Sequence, residues 1–341
     1  MTWLADLNFP PPLVAGPHWT PLQRQFAAEL CQGLRAEPPA VSPKWLYDEA
    51  GSRLFDRICT LPEYYPTRTE LALLQAHAPD LAERLGPQVQ LVEFGAGASV
   101  KVQVLLQALQ RPAAYLPVDI SGDYLLQVVP GLQARWPGLA VQPVVADFTQ
   151  PLALPALPPG ARRAGFFPGG SIGNFTPTAA RQLLRGFRQT LAGGGLLVGV
   201  DLVKDPARLH AAYNDSAGVT AAFNLNLWAR ANRELGADFD LDGWCHAAFY
   251  HPGLQRIEMH LVSRRAQVVH IAGQRFRFDE GQSVHTENSC KYTVPGFQAL
   301  ACSAGWRPSA VWTDPERLFA LHWLEPAGPS DAPTPEEDTR A

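Results

Sequence analysis

From Gln90 to Asp201 the chain alternates short apolar blocks with longer amphipathic ones, and this rhythm limits the possible folds more than any other feature. Apolar runs predict strands at 90–94, 114–118, 141–146, 163–167 and 196–201. Helical spacing predicts helices at 101–110, 123–128 and 178–192 between most of them. Strands separated by helices pair through crossovers, which gives a mostly parallel sheet covered on both faces. The expected fold class is therefore α/β with a Rossmann-like domain.

After Asp201 the alternation stops. Residues 206–212 and 220–235 have helical spacing, whereas 256–263 and 267–278 alternate in the manner of antiparallel strands. Before Gln90, the stretch 21–35 repeats Phe26, Leu30, Cys31 and Leu34 at helical intervals, and 69–84 is helical with a break or restart at Pro79. Segments 42–52 and 61–68 hold aromatics between prolines and glycines and are expected as docked loops. A last helix at 296–305 and two strands within 309–323 close the chain. The resulting division is a smaller α+β substrate-binding domain from 14–67 and 205–293, and a Rossmann-like domain from 68–204 and 294–325. A proline-rich start of about fifteen residues is expected to be extended, and 326–341 to be a mobile tail.

A net charge of −4 and 18% charged residues argue against a general nucleic-acid-binding face. The five cysteines form no C-x-x-C pair, which points to reduced thiols in the cytoplasm and against zinc; no metal is expected. Met1-Thr-Trp-Leu-Ala-Asp6 lacks the basic-then-apolar order of a signal peptide, and no apolar stretch nears the roughly 20 residues of a membrane span. A cytoplasmic monomer is the expectation.

Two short segments carry the chemistry. Leu91-Val-Glu-Phe-Gly-Ala-Gly-Ala-Ser99 is a strand running into a glycine turn, where Gly95 and Gly97 let the backbone approach a ligand. Asp119 ends the next strand and can accept both hydroxyls of a ribose; Asp147-Phe148 ends the third and offers an acceptor and a ring to adenine. The third glycine of a dinucleotide fingerprint is replaced by Val100, which disfavours NAD and suits a cofactor without phosphate, such as S-adenosylmethionine. The other segment, Thr286-Glu-Asn-Ser289, places a carboxylate and a hydroxyl two residues apart, so on a strand Glu287 and Ser289 point the same way.

Several longer blocks complete the picture: Pro43-Lys-Trp-Leu-Tyr-Asp48, Leu61-Pro-Glu-Tyr-Tyr-Pro-Thr-Arg-Thr-Glu70, Phe167-Pro-Gly-Gly-Ser-Ile-Gly-Asn-Phe175, Asp201-Leu-Val-Lys-Asp-Pro206, Tyr213-Asn-Asp-Ser-Ala-Gly218 and Ile257-Glu-Met-His-Leu-Val-Ser263. From about Ser42 to about Lys291 and in order, the chain resembles the bacterial histidine-specific methyltransferases that make hercynine on the route to ergothioneine. The resemblance implies a class I methyltransferase domain with a second substrate domain. It implies transfer of three methyl groups from S-adenosylmethionine to the α-amino nitrogen of L-histidine, leaving S-adenosylhomocysteine. It implies that Gly95, Lys101, Asp119, Asp147 and Phe148 bind the cofactor, and Gly97 and Ser99 of the same glycine turn are expected to bind it with them. Tyr47, Tyr64, Asn174 and Tyr213 would surround the backbone end of histidine, Glu287 and Ser289 would take the imidazole, and Met259 could lie against it. Relatives commonly carry a serine or threonine near Ala96 and Ala98, and smaller residues around Glu287 and Ser289.

These residue types suit the reaction. Methyl transfer from a sulfonium is an in-line displacement, so alignment supplies much of the catalysis. The attacking amine must be neutral, although a free α-ammonium loses its proton only at about pH 8. Asn174 can orient the amine, tyrosine hydroxyls can serve the carboxylate, and Tyr64 is expected to assist the departing proton. Tyrosine rings also tolerate a growing methylated cation. The readings that compete are a methyltransferase of this build acting on another amino acid or a modified histidine, an NAD-dependent oxidoreductase, and a silent sensor of either ligand.

Overall fold

The computed structural model describes residues 18–328, so the proline-rich start and most of the expected tail lie outside the described residues. In chain order the helices are α1 (Pro21–Leu34), α2 (Glu49–Ile58), α3 (Tyr65–Leu85), α4 (Val100–Ala108), α5 (Gly122–Arg135), α6 (Pro177–Leu191), α7 (Pro206–Tyr213), α8 (Val219–Leu235) and α9 (Val294–Ser303). The strands are β1 (Val89–Phe94), β2 (Ala114–Asp119), β3 (Val144–Val145), β4 (Arg162–Phe167), β5 (Leu196–Asp201), β6 (Trp244–His251), β7 (Arg256–Ser263), β8 (Gln267–Ile271), β9 (Gln274–Phe278), β10 (Ser283–Cys290), β11 (Trp306–Thr313) and β12 (Phe319–Pro326). The described chain falls into two compact units, 18–46 with 221–247 and 259–287, and 47–220 with 248–258 and 288–328. The sequence places the divisions at 67/68, 204/205 and 293/294 instead.

In the larger unit seven strands form one sheet in the order β11-β12-β5-β4-β1-β2-β3. β1 pairs in parallel with β2 and β4, and β4 with β5, while β12 runs antiparallel to β5. The four central strands therefore end at one edge, at Phe94, Asp119, Phe167 and Asp201. Strand order reverses between β1 and β4, and a ligand crevice opens at the carboxyl ends on either side of such a reversal.

Side-chain alternation supplies a core on each face. Leu91, Tyr115, Phe166 and Leu197 meet Leu74 and Leu105 on one side, and Val92, Leu116, Phe167 and Val198 meet Leu184 and Phe187 on the other. Each such burial is worth roughly 1.5–3 kcal/mol, enough to hold the strand ends in place under a polar site.

Several readings change. The segment expected as a loop at 42–52 is a single 3-10 turn at Pro43–Leu46 followed by the start of α2, whose first turn is capped by Asp48 accepting from Gly51 N–H at 2.8 Å. The second expected loop ends in α3, with Tyr64 as N-cap and Pro66 in the first turn, where its missing N–H costs nothing. α3 also runs unbroken through Pro79, because Leu73, Leu74, Leu81 and Leu85 on either side are buried and hold the helix on the sheet. Residues 267–278 are a hairpin, turned at Ala272 and Gly273, both with positive φ. β6 carries no clear alternation and was not expected.

In the smaller unit, Phe26 stacks on Trp45 at 4.7 Å, with the Arg230 guanidinium over both rings and bonded to the Trp45 carbonyl. Trp228 stacks on Phe239 at 4.1 Å. A separate three-stranded sheet, whose strands contribute residues to both units, is ordered β10-β7-β6. Among the described residues, no helix is long and apolar enough to cross a membrane.

Candidate active site

Each parallel strand of the larger unit delivers a loop to the same edge. After β1, Gly95 and Gly97 have φ of +74° and +48°, a conformation that favours glycine. A Cβ on Gly97 would meet nothing within 4 Å, so the turn faces open space, whereas one on Gly95 would lie 3.5 Å from the Phe148 ring. The backbone N–H groups of Gly97 and Ser121 donate to the two carboxylate oxygens of Asp119 at 3.0 and 2.9 Å. Burial holds this carboxyl above the usual range, and those N–H donors pull it back. Each oxygen keeps a further lone pair for a hydroxyl. An open glycine turn, a held carboxylate and a ring beside it fit an adenosine, so the residues present suit S-adenosylmethionine.

The other expected cofactor residues are placed less simply. Asp147 turns back on its own loop and accepts from Thr149 N–H and Oγ1 at 3.0 and 2.5 Å. Phe148 packs edge-on against Phe167 at 5.6 Å. The Ser99 side chain points inward, 3.1 Å from the Tyr115 hydroxyl, so only its left-handed backbone (φ +52°) serves the turn. Behind it Tyr115 donates to Glu93, whose carboxyl is pushed up to about 8 by burial.

Lys101 is held by a residue that no motif or spacing along the chain singles out. Its ammonium lies 2.6 Å from Glu70, a fully buried carboxylate on α3. Glu70 also accepts from the Gly169 N–H at 3.0 and 2.9 Å, and so anchors the loop after β4. Room for that carboxylate exists because β5 carries Gly199, where a Cβ would sit 2.2 Å from its Oε1. Burial disfavours the Lys101 charge, but Glu70 outweighs it and holds the ammonium above its ordinary range.

The same helix reaches the second network. Tyr65, in the first turn of α3, donates its hydroxyl to Asp201 at the end of β5, at 2.8 Å. Asp201 also takes Lys204 at 2.5 Å and Lys291 at 2.7 Å. Burial alone would raise this carboxyl; the two ammonium groups keep it below the usual range. Lys204 is pushed down to about 8 by burial. Lys291 stays well above its ordinary value, because Asp201 overcomes the burial penalty. Lys291 then donates to Ser289 Oγ at 2.5 Å and to the Tyr213 hydroxyl at 3.2 Å, and Tyr213 donates to Ser289 at 2.6 Å.

From Tyr213 a row of rings leads away: Tyr64 at 6.4 Å, Phe55 a further 6.2 Å, and Tyr47 a further 5.6 Å, each edge-on to the next. Asn174 stands in the short 3-10 turn after β4. The preceding Gly173 presses on Cys290, where a Cβ would come within 2.7 Å of the carbonyl oxygen, so this turn lies directly beside the Ser289–Lys291 backbone. Thus Tyr47, Tyr64, Tyr213, Asn174 and Ser289 gather at the edge that also carries the glycine turn. Tyr213 differs from expectation in that its hydroxyl is engaged by Ser289 and Lys291 rather than held for a carboxylate. Glu287 on β10 and Met259 on β7, both residues of the smaller unit, are buried; the Met259 carbonyl accepts from Thr286, itself bonded to Asn224.

Asp201, Lys291, Tyr65 and Glu70 were missed. One signal existed: the two-residue spacing of Glu287 and Ser289 continues to Lys291.

The sequence profile described as histidine-specific methyltransferase, S-adenosylmethionine-dependent, matches residues 26–326. A protein of Mycolicibacterium smegmatis named histidine N-alpha-methyltransferase is 42% identical over 85% of this chain and 91% of its own length. One of the same name from Mycobacterium tuberculosis is 39% identical over 86% and 92%. Ergothioneine biosynthesis protein 1 of Neurospora crassa is 31% identical over 82% of this chain and 32% of its own, longer one.

Proposed function

The chain belongs to the histidine-specific, S-adenosylmethionine-dependent methyltransferase family, and from that premise we propose that it methylates the α-amino nitrogen of L-histidine three times in succession, giving hercynine for ergothioneine synthesis. The observation that supports this most is the aromatic row Tyr47–Phe55–Tyr64–Tyr213 ending on Ser289, at the same sheet edge as Gly95, Gly97 and Asp119. Bound S-adenosylmethionine supplies a methyl group on a positively charged sulfur. Asp119 would take the ribose hydroxyls, Phe148 the adenine face, and Lys101 an anionic group of the cofactor.

The protein's part is alignment and proton management. Asn174 offers a carbonyl oxygen to the amine and an N–H to the carboxylate of the substrate. Tyr64 and Tyr47 present rings that accommodate a cation gaining methyl groups, an attraction of roughly 0.5–2 kcal/mol. Desolvation beside these rings favours the neutral amine, and the Tyr64 hydroxyl assists its last proton away. Glu287 and Ser289, two residues apart on β10, take the imidazole, one accepting and one donating.

The test is incubation with S-adenosylmethionine and the twenty common amino acids, read by mass spectrometry. Gains of one, two and three methyls on histidine alone are expected. Methylation of a different amino acid, or accumulation of monomethyl histidine as the end product, would overturn the reading. In Glu287→Ala, kcat/KM for histidine should fall by roughly two orders of magnitude or more, since a site built on paired polar groups discriminates that strongly.

A further inference from the structure

We propose that the buried Asp201–Lys291 pair is a positioning device that leaves Ser289 able only to donate, so that the site takes histidine as neutral imidazole with its bare ring nitrogen toward Ser289. This rests on the reading of histidine as substrate and goes beyond it, to the ring's protonation state.

The argument is a count of protons and lone pairs. A lysine ammonium has three N–H donors and no acceptor. All three of Lys291 are committed, to Asp201, Ser289 and Tyr213 at 2.7, 2.5 and 3.2 Å. Its side chain is fully buried, so no water competes. Ser289 Oγ has two lone pairs and one hydrogen. Lys291 occupies one lone pair and the Tyr213 hydroxyl, at 2.6 Å, the other. What remains of Ser289 is its O–H, and a ligand atom meeting it must accept. Neutral imidazole has one such nitrogen; imidazolium has none.

The frame that sets this pattern is hydrogen-bonded at both ends. The Asp201 carboxylate is shared by Tyr65 and Lys204 as well as Lys291. Its backbone carbonyl accepts the Tyr292 N–H at 3.0 Å, which staples the end of β5 to the residue after Lys291. The ionisable groups around Ser289 are thus Lys291 and Glu287 from its own segment, Asp201 and Lys204 from the end of β5, and Tyr213 and Tyr65 from α7 and α3. Of these, Lys291 and Tyr213 reach Ser289 itself, and each occupies one of its lone pairs.

The experiment is nitrogen NMR of ring-labelled histidine bound to the full chain with S-adenosylhomocysteine, between pH 5.5 and 8. One bare and one protonated ring nitrogen are expected throughout, including below the ordinary imidazole value of about 6.5. Bound imidazolium over that range would overturn the proposal while leaving histidine as substrate; no bound signal at all would overturn the functional reading and the proposal with it. In Lys291→Gln a lone pair of Ser289 is released, so KM for histidine should rise roughly tenfold, with a smaller change in kcat, and imidazolium should become bindable at low pH. A purely structural role would lower kcat and leave the bound ring's titration as in the parent chain. If that variant does not fold, the NMR result on the parent chain decides alone.

Discussion

Glu70 illustrates how much a single buried side chain can organise. It has no solvent exposure, faces the Lys101 ammonium at 2.6 Å, and takes the Gly169 N–H on both oxygens. A carboxylate removed from water is tolerated only where such partners are complete. Substituting Glu70→Gln keeps the volume and one acceptor but leaves Lys101 without its counter-charge. Affinity for S-adenosylmethionine, measured by calorimetry, should drop about tenfold or more, with the KM for histidine moving far less. Equal losses for both ligands would show that Glu70 merely supports the fold. Tyr64 provides a second test at this scale. Tyr64→Phe keeps the ring and removes the hydroxyl, so turnover of unmethylated histidine should fall most at low pH, where the amine holds its proton hardest. An unchanged pH profile would remove the proton role.

Among the elements, α3 connects the two polar networks. Tyr65 in its first turn reaches Asp201, and Glu70 one turn later reaches Lys101 and Gly169. The helix is kept continuous through Pro79 by the leucines buried around it, although a proline there lacks one N–H and crowds the preceding turn. Pro79→Ala should therefore stabilise the protein, by about 1 kcal/mol once the looser unfolded chain is counted, visible as a raised Tm with unchanged activity. A lowered Tm would mean that the proline's shape is part of the packing. The sequence was legible where periodicity was long and unmixed, as in β1, β2, β5 and α6. It was misread at α2 and the start of α3, where proline, glycine and aromatics suggested loops. There the Asp48 cap and a first-turn proline favour helix, and packing on the sheet completes it.

For the molecule as a whole, two buried groups of the large sheet give stability opposite dependences on pH. Glu93 has its carboxyl raised from 4.5 to about 8 by burial. Its contribution is fully present below 4.5 and is lost as pH rises through 8. His322 on β12 is lowered from 6.5 to about 4 by burial, with neither ring nitrogen hydrogen-bonded and Phe297 at 4.7 Å. Its contribution is present above 6.5 and is lost as pH falls through 4. Glu93→Gln should thus flatten the decline of Tm between pH 5 and 8, and His322→Leu the decline between 6.5 and 4. The second change should also raise Tm at neutral pH by about 5 °C, since it removes two unsatisfied polar atoms. Parallel slopes for parent and variant would exclude either group as the source.

Local pattern by itself determined the α/β alternation, the glycine turn, the carboxylate ending β2 and the order of the family's motifs, because each is written within a dozen or so consecutive residues. What only the folded chain decided is which distant side chains share protons. Residue 65 meets 201, 201 meets 291, and 70 meets 101 and 169. Those partnerships depend on strand order and on glycines that make room for a carboxylate, and no spacing along the sequence encodes them. The same tertiary contacts determine that the Ser289 hydroxyl gives its hydrogen away, a property invisible in the letter S.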